Sequence, residues 1–274
     1  MKLTNYIEKS LNEGRSEEAT YQYAEDFIKR HCKKALKGTK IFRGVASYYA
    51  DYLIIRPSLS EPRKSPYADH NYYNLLLSNL PSWKKYPPRN KSISCTTDWN
   101  NAKERSLDSP SEGGGNVYYV LAKDGSKIGE CPSDDIWYSF EVLRDVGAFN
   151  LNRFNLMLND FIKINYGRKS SMETNYKVFL KVCMNLDKKR DNNLLDIALE
   201  SWNYNVRNLF KGYVNGNTPL IKYLDHLLDP ENNGFKLKKA GDKFHQEREV
   251  WTDGDCLLVN TSSEIGALIA NGEL

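Results

Sequence analysis

The chain has 274 residues, 40% of them hydrophobic, and a net charge of +4 with basic and acidic residues interspersed; it has enough apolar material for a sizeable core in one large domain or two small ones. No apolar run approaches the roughly 18–20 residues that span a bilayer, and the amino-terminal segment lacks the apolar stretch of a signal peptide, so the expected compartment is cytoplasmic, with no membrane partner. Five cysteines (Cys32, Cys95, Cys131, Cys183 and Cys256) are odd in number and never spaced C-x-x-C, which argues against a disulfide framework or a structural zinc and for reduced thiols.

In chain order, Glu17-Glu18-Ala19-Thr20 leads into apolar residues at helical spacing from Tyr21 to Leu36, with Gly38 as a stop. Residues 39–45 read as a short strand, and 58–90 as a polar, Pro- and Tyr-rich stretch with a short helix near 71–80. A second strand at 91–97 precedes Asp98, which is expected to cap a short helix through Ala102 and Glu104. Gly113-Gly114-Gly115 reads as a flexible connection. Strands at 117–121 and 127–130, joined by Lys123-Asp124-Gly125-Ser126, predict a hairpin because Asp-Gly is a strong turn signal. Ser133-Asp134-Asp135 is expected to cap a helix through Trp137, Phe140 and Leu143, a better account of the two aspartates than metal binding.

Strand signals then vanish, and over 151–228 apolar residues recur at helical spacing, with groups at Phe154–Ile162, Tyr176–Cys183 and Leu194–Trp202; three or four helices are expected. Asp229-Pro230-Glu231-Asn232-Asn233-Gly234 breaks the pattern, and strands are expected at 235–237, 245–251 and 256–260. The plan is a β-rich core interrupted by a helical insertion at about 150–233, without internal repeats.

Three segments carry chemistry. In Phe42-Arg43-Gly44 an arginine on an apolar strand is suited to clamp a phosphate or carboxylate, and Gly44 admits a ligand to the backbone. In Ser94-Cys95-Thr96 alternation puts two hydroxyls on one face. In Glu247-Arg248-Glu249-Val250-Trp251 a strand would project both glutamates from one face, an unfavourable pairing unless a cation or a cationic transition state sits against it. Each segment taken singly has an ordinary account: a salt-bridged strand arginine, a Thr-rich strand, a solvated acidic edge.

In this order, the three segments resemble the mono-ADP-ribosyltransferases of the arginine, serine, glutamate type. That family has an aromatic-Arg-Gly strand, a Ser-Thr-Ser strand and an E-x-E strand followed by apolar residues and a glycine, here Gly254. The departures are Cys95 in the middle of the triplet and Thr96 in place of its last serine. The resemblance covers about half the chain and excludes the helical insertion. It implies an α+β fold, an ADP-ribosyltransferase-like split β-sandwich core with an amino-terminal helical segment and the insertion, in a single domain over 1–274.

The resemblance also implies that NAD is the substrate, with no metal: its nicotinamide glycosidic bond breaks, and ADP-ribose passes to an acceptor. Glu249 would stabilise the oxocarbenium-like cation, Arg43 would hold the NAD phosphate, Gly44 the nicotinamide amide, and Ser94, beside Thr96, would orient Glu249. Glu247 would position or deprotonate the acceptor, a role that fits a protein arginine. Phe244 lies in the implied acceptor loop, suited to stack on a guanidinium or base. Lys238, Lys239 and Lys243 permit a nucleic-acid acceptor, although a solvated turn explains them equally well. His245 has no identifiable partner in the sequence and reads as a bland strand position. P-loop, zinc-peptidase, nucleophile-elbow and Rossmann motifs are missing from the sequence. Three hypotheses stay open: an ADP-ribosyltransferase, an NAD glycohydrolase, and a non-catalytic binding protein that retains the fold. The compact, charged, tyrosine-rich chain also resembles phage-encoded and toxin-like transferases, which would act in a host or target-cell cytoplasm.

Overall fold

The computed structural model describes residues 15–46, 50–57, 70–107, 115–167, 172–195 and 204–274. The chain divides into two compact units, one of residues 1–63, 86–134 and 236–274, the other of residues 64–85 and 135–235. The expected insertion at 150–233 falls in the second unit, which also takes in 64–85. Among the described residues the protein is α+β, with nine antiparallel strands in one sheet and nine α-helices, and no helix is long and apolar enough to cross a membrane.

The first unit holds the sheet. Its strands are β1 (Arg15–Glu18), β2 (Phe42–Val45), β3 (Tyr52–Arg56), β4 (Ile93–Thr96), β5 (Asn116–Ala122), β6 (Lys127–Glu130), β7 (Lys236–Lys239), β8 (Glu249–Thr252) and β9 (Cys256–Asn260), in the order β1-β3-β9-β5-β2-β4-β8-β6-β7. Between β2 and β4 the ladder is a single register pair, Phe42 with Thr96. The sheet therefore consists of two halves that part company just beyond Phe42. Alternate residues of both halves, among them Leu53, Tyr118, Leu258, Ile93, Cys95 and Val250, join one buried apolar cluster to which, among the described residues, no α-helix contributes, so the sheet buries this face against itself. The opposite face of the first half (Tyr52, Ile54, Tyr119, Leu257, Val259) packs on helix α1 (Tyr21–His31) through Ala24, Phe27 and Ile28, and on a carboxyl-terminal helix, Glu264–Asn271, through Ile265 and Ile269. Each Val, Leu, Ile or Phe side chain buried in this way contributes roughly 1.5–3 kcal/mol.

In the second unit, α2 (Tyr72–Leu77) joins α4 (Glu141–Asp145), α5 (Leu151–Tyr166), α6 (Tyr176–Asp191), α7 (Tyr204–Val214) and α8 (Leu220–Leu227); α3 (Trp99–Leu107) belongs to the first unit, and α9 is the carboxyl-terminal helix given above. Asn150 and Asn175 cap α5 and α6 by accepting from Arg153 and Val178 N–H groups. Phe161 stacks on Phe210 with ring centroids 4.0 Å apart. Segment 70–85 is tied to these helices by bonds from the Tyr73 N–H to Asn155 and from the Trp83 indole to the Leu228 carbonyl.

The structure corrects several sequence expectations. Glu17 and Glu18 lie in β1 paired with β3, not in the lead of a helix; Thr20 caps α1 instead. The turn at 123–126 forms, with Gly125 at φ 86° and Ser126 N–H on the Lys123 carbonyl. Its flanking strands are nevertheless not a hairpin: β5 pairs with β2 and β9, while β6 pairs with β7 and β8. Residues 117–122 are all buried, and a strand covered on both faces takes partners on both edges of a central position. The helix expected after Asp135 is split into a 3₁₀ turn, Ile136–Tyr138, capped by Asp135, and α4. Of the helix expected at Leu194–Trp202, residues 196–202 lie outside the described residues, as do Gly113 and Gly114.

Candidate functional site

The site is built where the two half-sheets separate. Arg43 and Gly44 continue β2 beside β5, opposite Tyr118 and Val117, but beyond Phe42 no register pair joins them to β4. The opening is a cleft of about 150 Å³ lined by Phe42, Arg43, Gly44, Ser94, Cys95, Thr96 and Arg105 of α3. Arg43 reaches across it, donating from Nη1 to the Ser94 carbonyl at 2.5 Å.

Gly44 has a reason of its own. A Cβ there would lie 1.9 Å from the Ala102 carbonyl oxygen, so the glycine lets α3 pack directly on β2. Asp98 starts that helix as expected, accepting from the Asn100 N–H at 2.8 Å. The Thr96 hydroxyl is engaged here too, accepting from the Asp98 N–H at 3.1 Å.

Glu249 opens β8 directly opposite Thr96. Its Oε1 accepts from the Ser94 hydroxyl at 3.1 Å and forms an ion pair with Nη2 of Arg89. Ser94 thus both lines the cleft and touches the carboxylate. Arg89, buried at the start of the 3₁₀ turn Arg89–Lys91 that follows Pro87-Pro88, is not singled out by the sequence. Its guanidinium lies 5.6 Å from the Trp251 ring centre, and the Trp251 indole donates to the Pro87 carbonyl at 2.9 Å. This cation sits in a segment with no hydrophobic period, and the only sequence signal for it is the rigid Pro-Pro step before it.

Glu247 behaves differently from the strand expectation for 245–251. The strand begins only at Glu249; Glu247 is exposed in the preceding loop, at φ 55°. Strand alternation therefore does not relate the two glutamates. The loop is fastened to β4 by Thr97, whose hydroxyl donates to the His245 carbonyl at 2.8 Å and accepts from the Arg248 N–H at 2.9 Å. Phe244 is a core residue rather than a stacking surface: it is 8% exposed, with the Lys238 ammonium 5.0 Å from its ring centre.

A second polar cluster lies behind this loop. Glu130, at the end of β6 and buried, accepts from the His245 N–H at 2.7 Å, meets His245 Nδ1 at 3.1 Å, and pairs through Oε2 with Lys238 Nζ at 3.1 Å. Burial alone raises the Glu130 carboxyl, but the His245 backbone N–H and the Lys238 and His245 side chains outweigh it and hold the group below the usual carboxylate range. Lys239 and Lys243 are exposed.

All five cysteines are buried free thiols. Burial pushes the Cys95 thiol in the cleft wall up to about 11, so it is a packing group rather than a nucleophile at neutral pH. Among the described residues no group of three or more His, Cys, Asp or Glu is placed to hold a metal ion. No family model, curated protein or solved structure matches the chain.

Proposed function

We propose that the protein is a mono-ADP-ribosyltransferase that cleaves NAD at the nicotinamide glycosidic bond and passes ADP-ribose to a macromolecular acceptor, a protein arginine in the first instance, on an ADP-ribosyltransferase-like split β-sandwich. One observation carries the reading: Arg43, Ser94 and Glu249, from three strands far apart in sequence, form a connected chain of contacts at the cleft where the half-sheets part. Departure of nicotinamide leaves positive charge on the ribose, and a carboxylate beside it is worth most in the transition state. In this reading Glu249 is that carboxylate, Ser94 orients it, and Arg43 supplies a cation for the substrate phosphates. A cleft of about 150 Å³ is below the roughly 300–1,000 Å³ of sites that enclose whole ligands, so it suits the nicotinamide end, with the rest of the dinucleotide outside it. Water in place of the acceptor gives NAD hydrolysis by the same first step.

The test is nicotinamide release from labelled NAD by the full chain, with and without an arginine acceptor. The wild type is expected to release nicotinamide, and Glu249→Gln to lose roughly 10²–10³-fold in rate, with Ser94→Ala as a second variant that leaves both buried charges in place. Equal rates in the wild type and a folded Glu249→Gln variant overturn the reading. Label on the acceptor identifies transfer, and release without label identifies hydrolysis.

A further inference from the structure

We propose that a lysine-rich surface of the first unit docks the phosphate backbone of a double-stranded nucleic acid; this stands apart from the transferase reading and rests on different residues. Three segments distant in sequence meet there. The Asp124 carboxylate accepts from the Lys34 and Ala35 N–H groups at 2.9 and 3.3 Å, which joins the turn after β5 to the segment that follows α1. Gly241 lies so close to that segment that a Cβ on it would sit 2.8 Å from the Lys34 carbonyl oxygen. The Thr39 hydroxyl accepts from the Phe244 N–H at 2.8 Å, and the Ala240 N–H donates to the Ser126 carbonyl at 3.0 Å. Residues 33–40, 123–127 and 239–244 therefore form one continuous surface.

Lysines crowd it. Lys33, Lys34 and Lys37 of the first segment, Lys127 of the second, and Lys239 and Lys243 of the third are exposed, and among the described residues none of them forms an ion pair. Lys127 and Lys239 stand directly opposite each other in the β6–β7 register, where like charges repel. The acids nearby are fewer. Asp124 and Asp242 accept from backbone N–H groups, Asp253 bears on Lys127, and Asp255 and Glu130 are already paired with Lys123 and Lys238. The excess of positive charge is relieved by an anion that spans several lysines at once.

The composition of the surface selects the anion. Its three segments hold no arginine and no exposed large apolar side chain. Protein interfaces enrich aromatic residues and arginine and deplete lysine, single strands stack their bases on aromatic rings, and membrane-surface helices join basic residues to an apolar face. Lysines alone offer point charges to phosphates without reading the bases.

The test follows binding of the full chain to labelled DNA and RNA duplexes by fluorescence anisotropy, between about 50 and 200 mM salt. A duplex is expected to bind with log K falling against log salt at a slope of roughly −5, the value for five or six phosphate contacts; the duplex bound more tightly identifies the nucleic acid. Lys34→Gln combined with Lys239→Gln is expected to reduce that slope by about 2. Lys181→Gln combined with Lys222→Gln, at exposed lysines of the second unit, makes the same change in net charge and is expected to leave the slope unaltered. Substitutions at exposed lysines carry little stability, so neither pair acts through folding. Equal losses in the two pairs, or a flat salt profile, overturn the proposal. So does tighter binding of a single strand, of phosphatidylserine vesicles or of polyglutamate than of either duplex. Nicotinamide release from NAD, measured on the same samples, reports on the transferase reading alone.

Discussion

Arg89 and Glu249 form an ion pair whose side chains are only 6% and 3% exposed. At that burial neither charge is screened by water, and removing one takes away the other's charged partner. Arg89→Ala is expected to cost roughly 3–5 kcal/mol, read as a lowered denaturant midpoint. The double variant Arg89→Met, Glu249→Met removes both charges and is expected to recover most of that loss. If the double variant is as unstable as the sum of the singles, the pair is not coupled.

Gly44 reports on the packing that holds the cleft. With a Cβ 1.9 Å from the Ala102 carbonyl and 2.7 Å from the Ser106 nitrogen, Gly44→Ala drives α3 off β2, because the obstacle is helix backbone and not the tip of a side chain. A loss of about 1–3 kcal/mol is expected. Chemical-shift changes should centre on residues 99–107; changes confined to β2 would show that the helix does not bear on the strand as described.

The residues of the site were legible in sequence to the extent that their chemistry is local. Arg43, Ser94 and Glu249 stand on short strands whose apolar neighbours set the period, so each could be placed on an element before its partners were known. What was not legible depends on register between distant segments. Nothing in Tyr86-Pro87-Pro88-Arg89 indicates that its guanidinium ends on Glu249, and nothing in Lys127-Ile128-Gly129-Glu130 indicates a buried acid that fixes His245. The Asp-Gly turn at 124–125 fixed a tight turn but not the pairing of the strands it joins, because the neighbours of β5 are chosen by burial of both its faces. The E-x-E spacing misled in the same way: alternation holds only inside a strand, and the left-handed backbone at Glu247 lies outside it.

Acid sensitivity should trace in part to Glu130. Its folded carboxyl lies below its ordinary value, so ionisation favours the folded state. That stability is fully present above the unfolded carboxyl value of about 4.3 and is lost as pH falls through the lower folded value. Denaturant midpoints at about pH 7 and pH 3 are therefore expected to differ more in the wild type than in Glu130→Gln. Parallel acid limbs in the two proteins would remove Glu130 from the account.

Glu247 and Ser94 are expected to separate the two halves of the proposed reaction. Ser94 bonds Glu249 and lines the cleft, so Ser94→Ala frees the carboxylate's orientation and should lower nicotinamide release itself, by roughly 10-fold for one lost hydrogen bond of about 1.4 kcal/mol. Glu247 is exposed beyond the strand and touches neither residue in the contacts described above, so Glu247→Gln should reduce capture by an arginine acceptor more than it reduces release. Because an exposed glutamate carries little stability, a change in capture for this variant reports on acceptor binding and not on folding. Paired rates of release and labelling for the two variants decide the matter; if Glu247→Gln loses release as fully as Ser94→Ala, the division of labour between the two glutamates is wrong.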